Sequence, residues 1–336
     1  MNRAIINTHF NYRGEPDSVA KWRSKLIDRF PAILRSHAVH WHRRTTKRAG
    51  IGGHAEANRQ LRRLCKALYM SGTGLRADTY RGKVQDYAKT ITRRLERDFF
   101  ARTKAEGHFP AIKWLINEVG QRGMPLPTEK QIEDLIDWKE MIPYIARTFD
   151  VDWWVRNLTR RQKRIIEQCA RDLGIVSGYR QAYCADYTLQ ERQQQKRRNE
   201  FILKGLEAES TEGEIINLFD AVKGSVANPE IRRMELMVRM RGFEDVAYLN
   251  DHIGMFYTIT TPSKYHCRLS KIDARNSKYE GATPKEAQQY LCELWARIRA
   301  EFKRQGIEIY GFRVAEPHHD GTPHWHLLVF MEPEHK

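Results

Sequence analysis

The sequence predicts an α+β protein, a large, mainly helical, basic N-terminal region followed by a small antiparallel sheet with one helix packed on it. Three observations predict this. Apolar residues recur at helical spacing over much of residues 55–250, strict alternation begins at Met255, and the remainder runs strand, helix, strand, turn, strand. On this pattern the chain divides into a basic segment over 1–60, a mainly helical region over 61–250 and a sheet-bearing core over 251–336.

Residues 1–60 are basic and histidine-rich, and Gly50-Ile-Gly-Gly53 reads as a loop or linker; no role is assignable to this segment. From Ala55 to Arg102, Leu61, Leu64, Cys65, Leu68, Tyr87, Ile91 and Leu95 keep helical spacing, interrupted at Ser71-Gly-Thr-Gly74. Pro110, Pro125 and Pro127 punctuate the next stretch, and Lys130–Arg147 and Leu158–Leu173 read as amphipathic helices. An Arg/Gln-rich helix over 189–206 follows, with Asp186 or Thr188 as its cap.

At Asn228-Pro229-Glu230 a cap, a proline in the first turn and an early negative charge open a helix that the spacing ends near Gly242. Its stripe of Ile231, Met234, Met237 and Val238 reads as core filler. Met255-Phe-Tyr-Thr-Ile-Thr-Thr261 alternates, is rich in β-branched and aromatic residues, and stops at Pro262. Thr283-Pro284-Lys-Glu286 forms a capping box ahead of an apolar stripe through Ala287, Leu291, Leu294 and Ile298. Ile307–Ala315 alternates again, and Asp320-Gly321 reverses the chain into His324-Trp-His-Leu-Leu-Val-Phe330.

That last hairpin carries the chemistry. Side chains on a strand alternate faces, so His324 and His326 point the same way while Trp325, Leu327 and Val329 face the opposite side, toward a helix. Glu316, at the end of the preceding strand, returns beside the histidines and completes a two-His, one-carboxylate set with open positions for substrate. By contrast, His40-Trp-His42 lies in a helically spaced stretch with no turn and no upstream carboxylate, and reads as an ordinary surface or core pair.

Bulk properties narrow the partner. Lys+Arg number 58 against 42 Asp+Glu, a formal charge of +16, so the field draws in polyanions, with nucleic acid the leading one. The positive charge is clustered at Arg43-Arg44-Thr-Thr-Lys47-Arg48, at Arg160-Arg-Gln-Lys-Arg164 and at Lys196-Arg-Arg198. The five cysteines contain no Cys-x-x-Cys pair, which argues against a disulfide framework or zinc ribbon and fits a reducing cytoplasm. With neither signal-peptide core nor membrane-length apolar run, the expectation is a soluble protein without membrane partners.

Phe256-Tyr-Thr-Ile-Thr260 followed by His324-Trp-His326 resembles the first two motifs of the HUH endonucleases, which nick single-stranded DNA to start rolling-circle replication. Arg313-Val-Ala-Glu-Pro-His-His-Asp-Gly-Thr-Pro-His-Trp-His326, with Asn228-Pro-Glu-Ile-Arg-Arg-Met-Glu-Leu236 upstream, is similar to the replication gene A proteins of tailed phages and prophages. The resemblance implies a partial HUH-type sheet and a Mg²⁺- or Mn²⁺-dependent nickase, with His324, His326 and Glu316 on the metal. It implies origin or single-stranded DNA as partner in a bacterial host cytoplasm, and host helicase as a second partner, since no Gly-x-x-x-x-Gly-Lys-Ser/Thr loop is present.

In that family a tyrosine of a pair on a later helix attacks phosphorus, leaving a 5′-phosphotyrosyl link and a free 3′-hydroxyl. No tyrosine follows His326 here, so the nucleophile is expected beyond Lys336, and no catalytic residue is assigned within the chain. Tyr257 and Tyr310 fall inside predicted strands and read as core aromatics. The loop residues Lys264, Tyr265, His266 and Arg268 are candidates for DNA contact through stacking and phosphate pairing. The alternative is a truncated, non-catalytic DNA-binding protein that retains the metal site. Histidine-triad and metallo-β-lactamase-like patterns both fail at position 328, which is Leu328.

Overall fold

In the computed structural model, residues 12–13, 15–48, 53–127, 132, 137–269 and 274–335 are described. The chain forms two compact units, Met1–Leu173 and Gly174–Lys336, so residues 174–250 are grouped with the sheet. The first unit is α-helical. Helices α1 (Asp17–Asp28), α2 (Ala32–Arg48) and α3 (Gly53–Ala67) lead into a short hairpin of β1 (Tyr69–Met70) and β2 (Leu75–Arg76) at the expected interruption. Then come α4 (Arg81–Glu106), α5 (His108–Gln121), a 3₁₀ turn at Trp138–Met141, α6 (Ile142–Thr148) and α7 (Val151–Asp172). Leu95, Leu115 and Trp154 are fully buried where α4, α5 and α7 meet.

Pro110, read as punctuation, sits inside the first turn of α5, where its missing N–H costs no intrahelical bond. Residues 130–131 and 133–136 of the expected Lys130–Arg147 helix lie outside the described residues, as do residues 49–52 of the Gly50 loop; from Trp138 on, that expected single helix is instead a 3₁₀ turn followed by the short α6. No helix among the described residues is long and apolar enough to cross a membrane.

The second unit holds α8 (Asp186–Lys204), the hairpin of β3 (Glu207–Glu209) and β4 (Ile215–Asn217), α9 (Leu218–Lys223), α10 (Pro229–Leu249) and β5 (Ile253–Ile259). After these come a 3₁₀ turn at Ser263–Tyr265, the short β6 (Arg268–Leu269) and β7 (Ala274–Arg275), α11 (Pro284–Arg304), β8 (Tyr310–Pro317) and β9 (Pro323–Met331). Helix α8 starts earlier than expected, with Ala185 at the cap position. Asn228 caps α10 through its side-chain oxygen, which accepts from Glu230 N at 3.1 Å. Helix α10 runs through Gly242 to Leu249 because Phe243 packs on Tyr310 and Phe312 of β8 and Ala247 is buried. That apolar contact outweighs the roughly 1 kcal/mol helix penalty of one glycine.

The expected core stripe of α10 is a correction: Met234, Met237 and Val238 are exposed, since the helix contacts the sheet through its C-terminal half. Tyr257 is another. It faces the core side but lies on an edge strand, and stays 41% exposed.

Three antiparallel strands in the order β5-β9-β8 make the sheet, so the histidine strand is central. Trp325, Leu327, Val329 and Met331 are buried with Leu291 of α11, and Trp325 Nε1 donates to Gln288 Oε1 at 3.1 Å. The capping box of α11 is formed, with Glu286 N donating to Thr283 Oγ1 at 3.2 Å and Thr283 N to Glu286 Oε2 at 2.6 Å.

The β8–β9 turn closes with His318 N donating to Thr322 O at 2.7 Å, and Gly321 takes the left-handed φ of +79° that the reversal needs. Asp320 is buried there. Its carboxylate accepts from Cys267 N at 3.1 Å and Thr322 N at 3.0 Å and lies 3.4 Å from His266 Nδ1, pinning the turn to the 266–267 loop. Burial alone would raise its pKa, but the bonds from His266 and Thr322 outweigh it and hold the carboxyl well below the usual range.

Two outcomes follow for stability. Trp325→Ala, which empties the site between sheet and α11, should cost about 3–5 kcal/mol in urea unfolding. Asp320→Asn should cost about 1.5–3 kcal/mol near neutral pH. Because the folded carboxyl titrates below the unfolded value of about 3.9, its contribution is complete above that value and is lost as pH falls beneath it. Unfolding series at pH 7 and pH 3 should therefore show the gap between wild type and Asp320→Asn narrowing in acid.

Candidate metal centre

The open face of the sheet is set by register. His324 pairs with Glu316, while His326 is flanked by Val314 on β8 and Thr258 on β5, so all these side chains project from the side opposite Trp325. One ligand atom from each of Glu316, His324 and His326 lies within 4.8 Å of the others. His324 Nε2 and His326 Nε2 are 2.9 Å apart, and His326 Nε2 is 3.6 Å from Glu316 Oε2.

These spacings fit one ion. Ligands held at about 2.1 Å in octahedral geometry stand about 3 Å apart along an edge, close to the nitrogen pair as found. Thr258 Oγ1 lies 3.0 Å from His326 Nδ1, an outer hydrogen bond that leaves Nε2 directed at the other two groups. Burial, then the nearby His326 charge, lower the His324 pKa despite the opposing pull of Glu316, which favours the neutral form of the imidazole that can ligate. The Glu316 carboxylate is about half exposed, which leaves the trio open on one side.

Phe256 stacks on His326 with ring centroids 5.5 Å apart and is itself exposed. On the other flank the His318 ring lies 4.1 Å from that of His324 and 5.0 Å from that of His266. Burial, with the charges of His324 and His266, pushes His318 down to about 4, so it is neutral near pH 7.

The loop candidates are brought to two places. Lys264 and Tyr265 lie against α11, where the Tyr265 ring is 5.3 Å from Tyr290 and the surroundings include Glu280, Glu286 and Glu293. His266 and Arg268 face a different cleft, shared with His318 and Asp320. Elsewhere, His40 and His42, read as a surface or core pair on a helix, do lie on α2 but go different ways: exposed His40 bonds Ser36 O in its own helix, whereas buried His42 takes the Tyr12 hydroxyl at 2.9 Å on Nδ1 and donates to Asn58 Oδ1 at 2.8 Å. Tyr310, read as a core aromatic, is only half-buried and packs on Phe330 and Phe243 on the face opposite Trp325.

Sequence reasoning missed Thr258, His318 and Asp320. Thr258 was accessible through strand parity, since it is two residues from Phe256 in the strand beside the histidines; Asp320 was read only as a turn residue.

A family model described as bacteriophage replication gene A protein matches residues 75–336. The replication gene A protein of Escherichia phage 186 is 49% identical over 195 residues, which cover 58% of this chain and 28% of the relative. The probable replication protein P12 of Pseudoalteromonas phage PM2 is 44% identical over 185 residues, covering 55% and 28%. A probable replication endonuclease from a prophage-like region of Shigella boydii serotype 4 is 33% identical over 211 residues, covering 61% and 26%. The chain thus spans less than a third of the length of these curated relatives. No solved structure matches it. With most of its length matched by that one family, the chain belongs to the bacteriophage replication gene A proteins.

Proposed function

We propose that this chain carries the metal centre of a site-specific, single-strand DNA nicking endonuclease that initiates phage-type rolling-circle replication in a bacterial host cytoplasm. The observation that carries the reading is the Glu316–His324–His326 trio, gathered within 4.8 Å on the open face of a three-stranded sheet in a replication gene A protein. The naming of a relative as a replication endonuclease supports it.

Glu316, His324 and His326 would hold Mg²⁺ or Mn²⁺. When bound, the ion supplies Lewis-acid polarisation of a phosphoryl oxygen and offsets charge developing in the transition state. Thr258 keeps His326 in the orientation that presents Nε2, and the buried Trp325 side holds both imidazoles at fixed height above the sheet. The open side of Glu316 leaves room for a phosphodiester. By the family resemblance the attacking group would be a tyrosine, and none is assigned among residues 1–336. Phosphate contacts come from the basic clusters, though within 160–164 the Arg161 guanidinium is already turned onto Ser71 O and Arg122 O. Unwinding falls to a partner helicase of the host.

Calorimetric titration with Mn²⁺ should show one ion bound by the wild-type chain and an affinity loss above about a hundredfold in the Glu316→Ala, His324→Ala, His326→Ala triple variant. Equal affinity in the two proteins would remove the metal centre. Binding to single-stranded DNA should weaken steeply with salt, the logarithmic slope being about 0.7 per phosphate contacted. A flat salt response, measured by fluorescence anisotropy, would point to a partner other than a polyanion.

A further inference from the structure

Beside the metal trio lies a cleft of about 500 Å³ lined by Ser177, Tyr179, Thr261, His266, His318 and His319 among others. Its volume falls in the range of roughly 300–1,000 Å³ typical of small-molecule sites. One wall is the loop after Gly174, closed by Ser177 N donating to Gln181 O at 3.1 Å and tied to the hairpin by Tyr183 N donating to His319 O at 3.1 Å. Gly178 permits this approach: a Cβ there would stand 3.1 Å from His319 Nδ1.

Two buried polar atoms of residues on the lining lack partners. Ser177 is 3% exposed and its Oγ makes no hydrogen bond; His318 Nε2 is buried and likewise unpaired. Buried polar atoms left unsatisfied are uncommon and call for a ligand or a functional reason. His318 also connects the cleft to the metal face through its ring contact with His324.

We propose that this cleft seats one unstacked nucleobase of the single strand whose neighbouring phosphate reaches Glu316, His324 and His326. This rests on the nicking reading above and names a substrate subsite within it. A base fits better than a phosphate, because the unsatisfied groups are a hydroxyl and a ring nitrogen, neither a fixed cation, and because the Asp320 carboxylate also borders the space. Ser177 and His318 offer hydrogen bonds to a base edge, and the Tyr179 ring, 67% exposed, offers a stacking face. Arg268, on the same lining, suits the adjoining backbone phosphate.

The test uses the full chain with fluorescent single strands of about a dozen nucleotides, one set with bases and one wholly abasic, alongside Mn²⁺ titration. Ser177→Leu fills the cleft, and Tyr179→Ala removes the stacking face from an exposed position where folding is not at risk. Each should weaken the base-bearing strand about tenfold while leaving the abasic strand and Mn²⁺ affinity unchanged. Equal weakening of both strands, or no change in either variant, overturns the cleft while leaving the metal centre standing. A wild-type chain that binds neither strand nor Mn²⁺ overturns both.

Discussion

Trp325 has no exposed surface, and with Leu327, Val329 and Met331 it is clamped between the sheet and α11. This burial decides where His324 and His326 go. A strand has period two, so a slip of one residue would carry four large apolar groups into solvent and both imidazoles into the core. At about 25 cal/mol per Å² of apolar surface, that exposure is comparable with the whole stability of a normal domain, and the buried imidazoles would add to it. The ligand geometry therefore rests on hydrophobic burial behind the sheet. The Asp320 turn then sets the pairing register that brings Glu316 opposite His324.

The turn also shows why a buried charge can be tolerated in a hairpin. Asp320 loses water but gains two backbone N–H donors and His266, and the net effect lowers its pKa. Removing one partner would leave an uncompensated carboxylate, so the 266–267 loop and the hairpin act as one piece. The histidine row from His266 through His318 to His324 runs from this anchor to the Glu316–His324–His326 trio. Positional precision at the trio is thus shared between an apolar layer and a polar clasp.

Features that depend on local period were legible in the sequence. The His-x-His parity, the return of Glu316, the Thr283–Glu286 capping box and the Asn228 cap all follow from spacing and side-chain chemistry within a few residues. What depended on distant partners was not. Met234 and Met237 look like core residues on a helical wheel, but whether a stripe is covered depends on how far the helix overlaps the sheet. Gly242 looks like an end until Phe243 and Ala247 find β8 and its surroundings. The loop quartet looks contiguous, yet a 3₁₀ turn at Ser263–Tyr265 sends Lys264 and Tyr265 one way and His266 and Arg268 another. Ser177 carries no signal in its own neighbourhood; its setting is made by His318 and His319, far along the chain.

Charge and shape would then have separate tasks. A formal charge of +16 attracts any polyanion and, screened over about 10 Å at 0.1 M salt, says nothing about sequence. A metal trio that handles a phosphodiester is equally blind to the bases, since every phosphate is alike. Discrimination between one position on a strand and the next needs neutral, shaped, hydrogen-bonding surface beside the phosphate site. Among the described residues, the cleft bordered by Ser177 and His318 has that character and reaches the His324 imidazole. The acidic surroundings of Lys264 and Tyr265 would repel a backbone rather than guide it, so the path that reaches the trio past His318 is the electrostatically easier of the two.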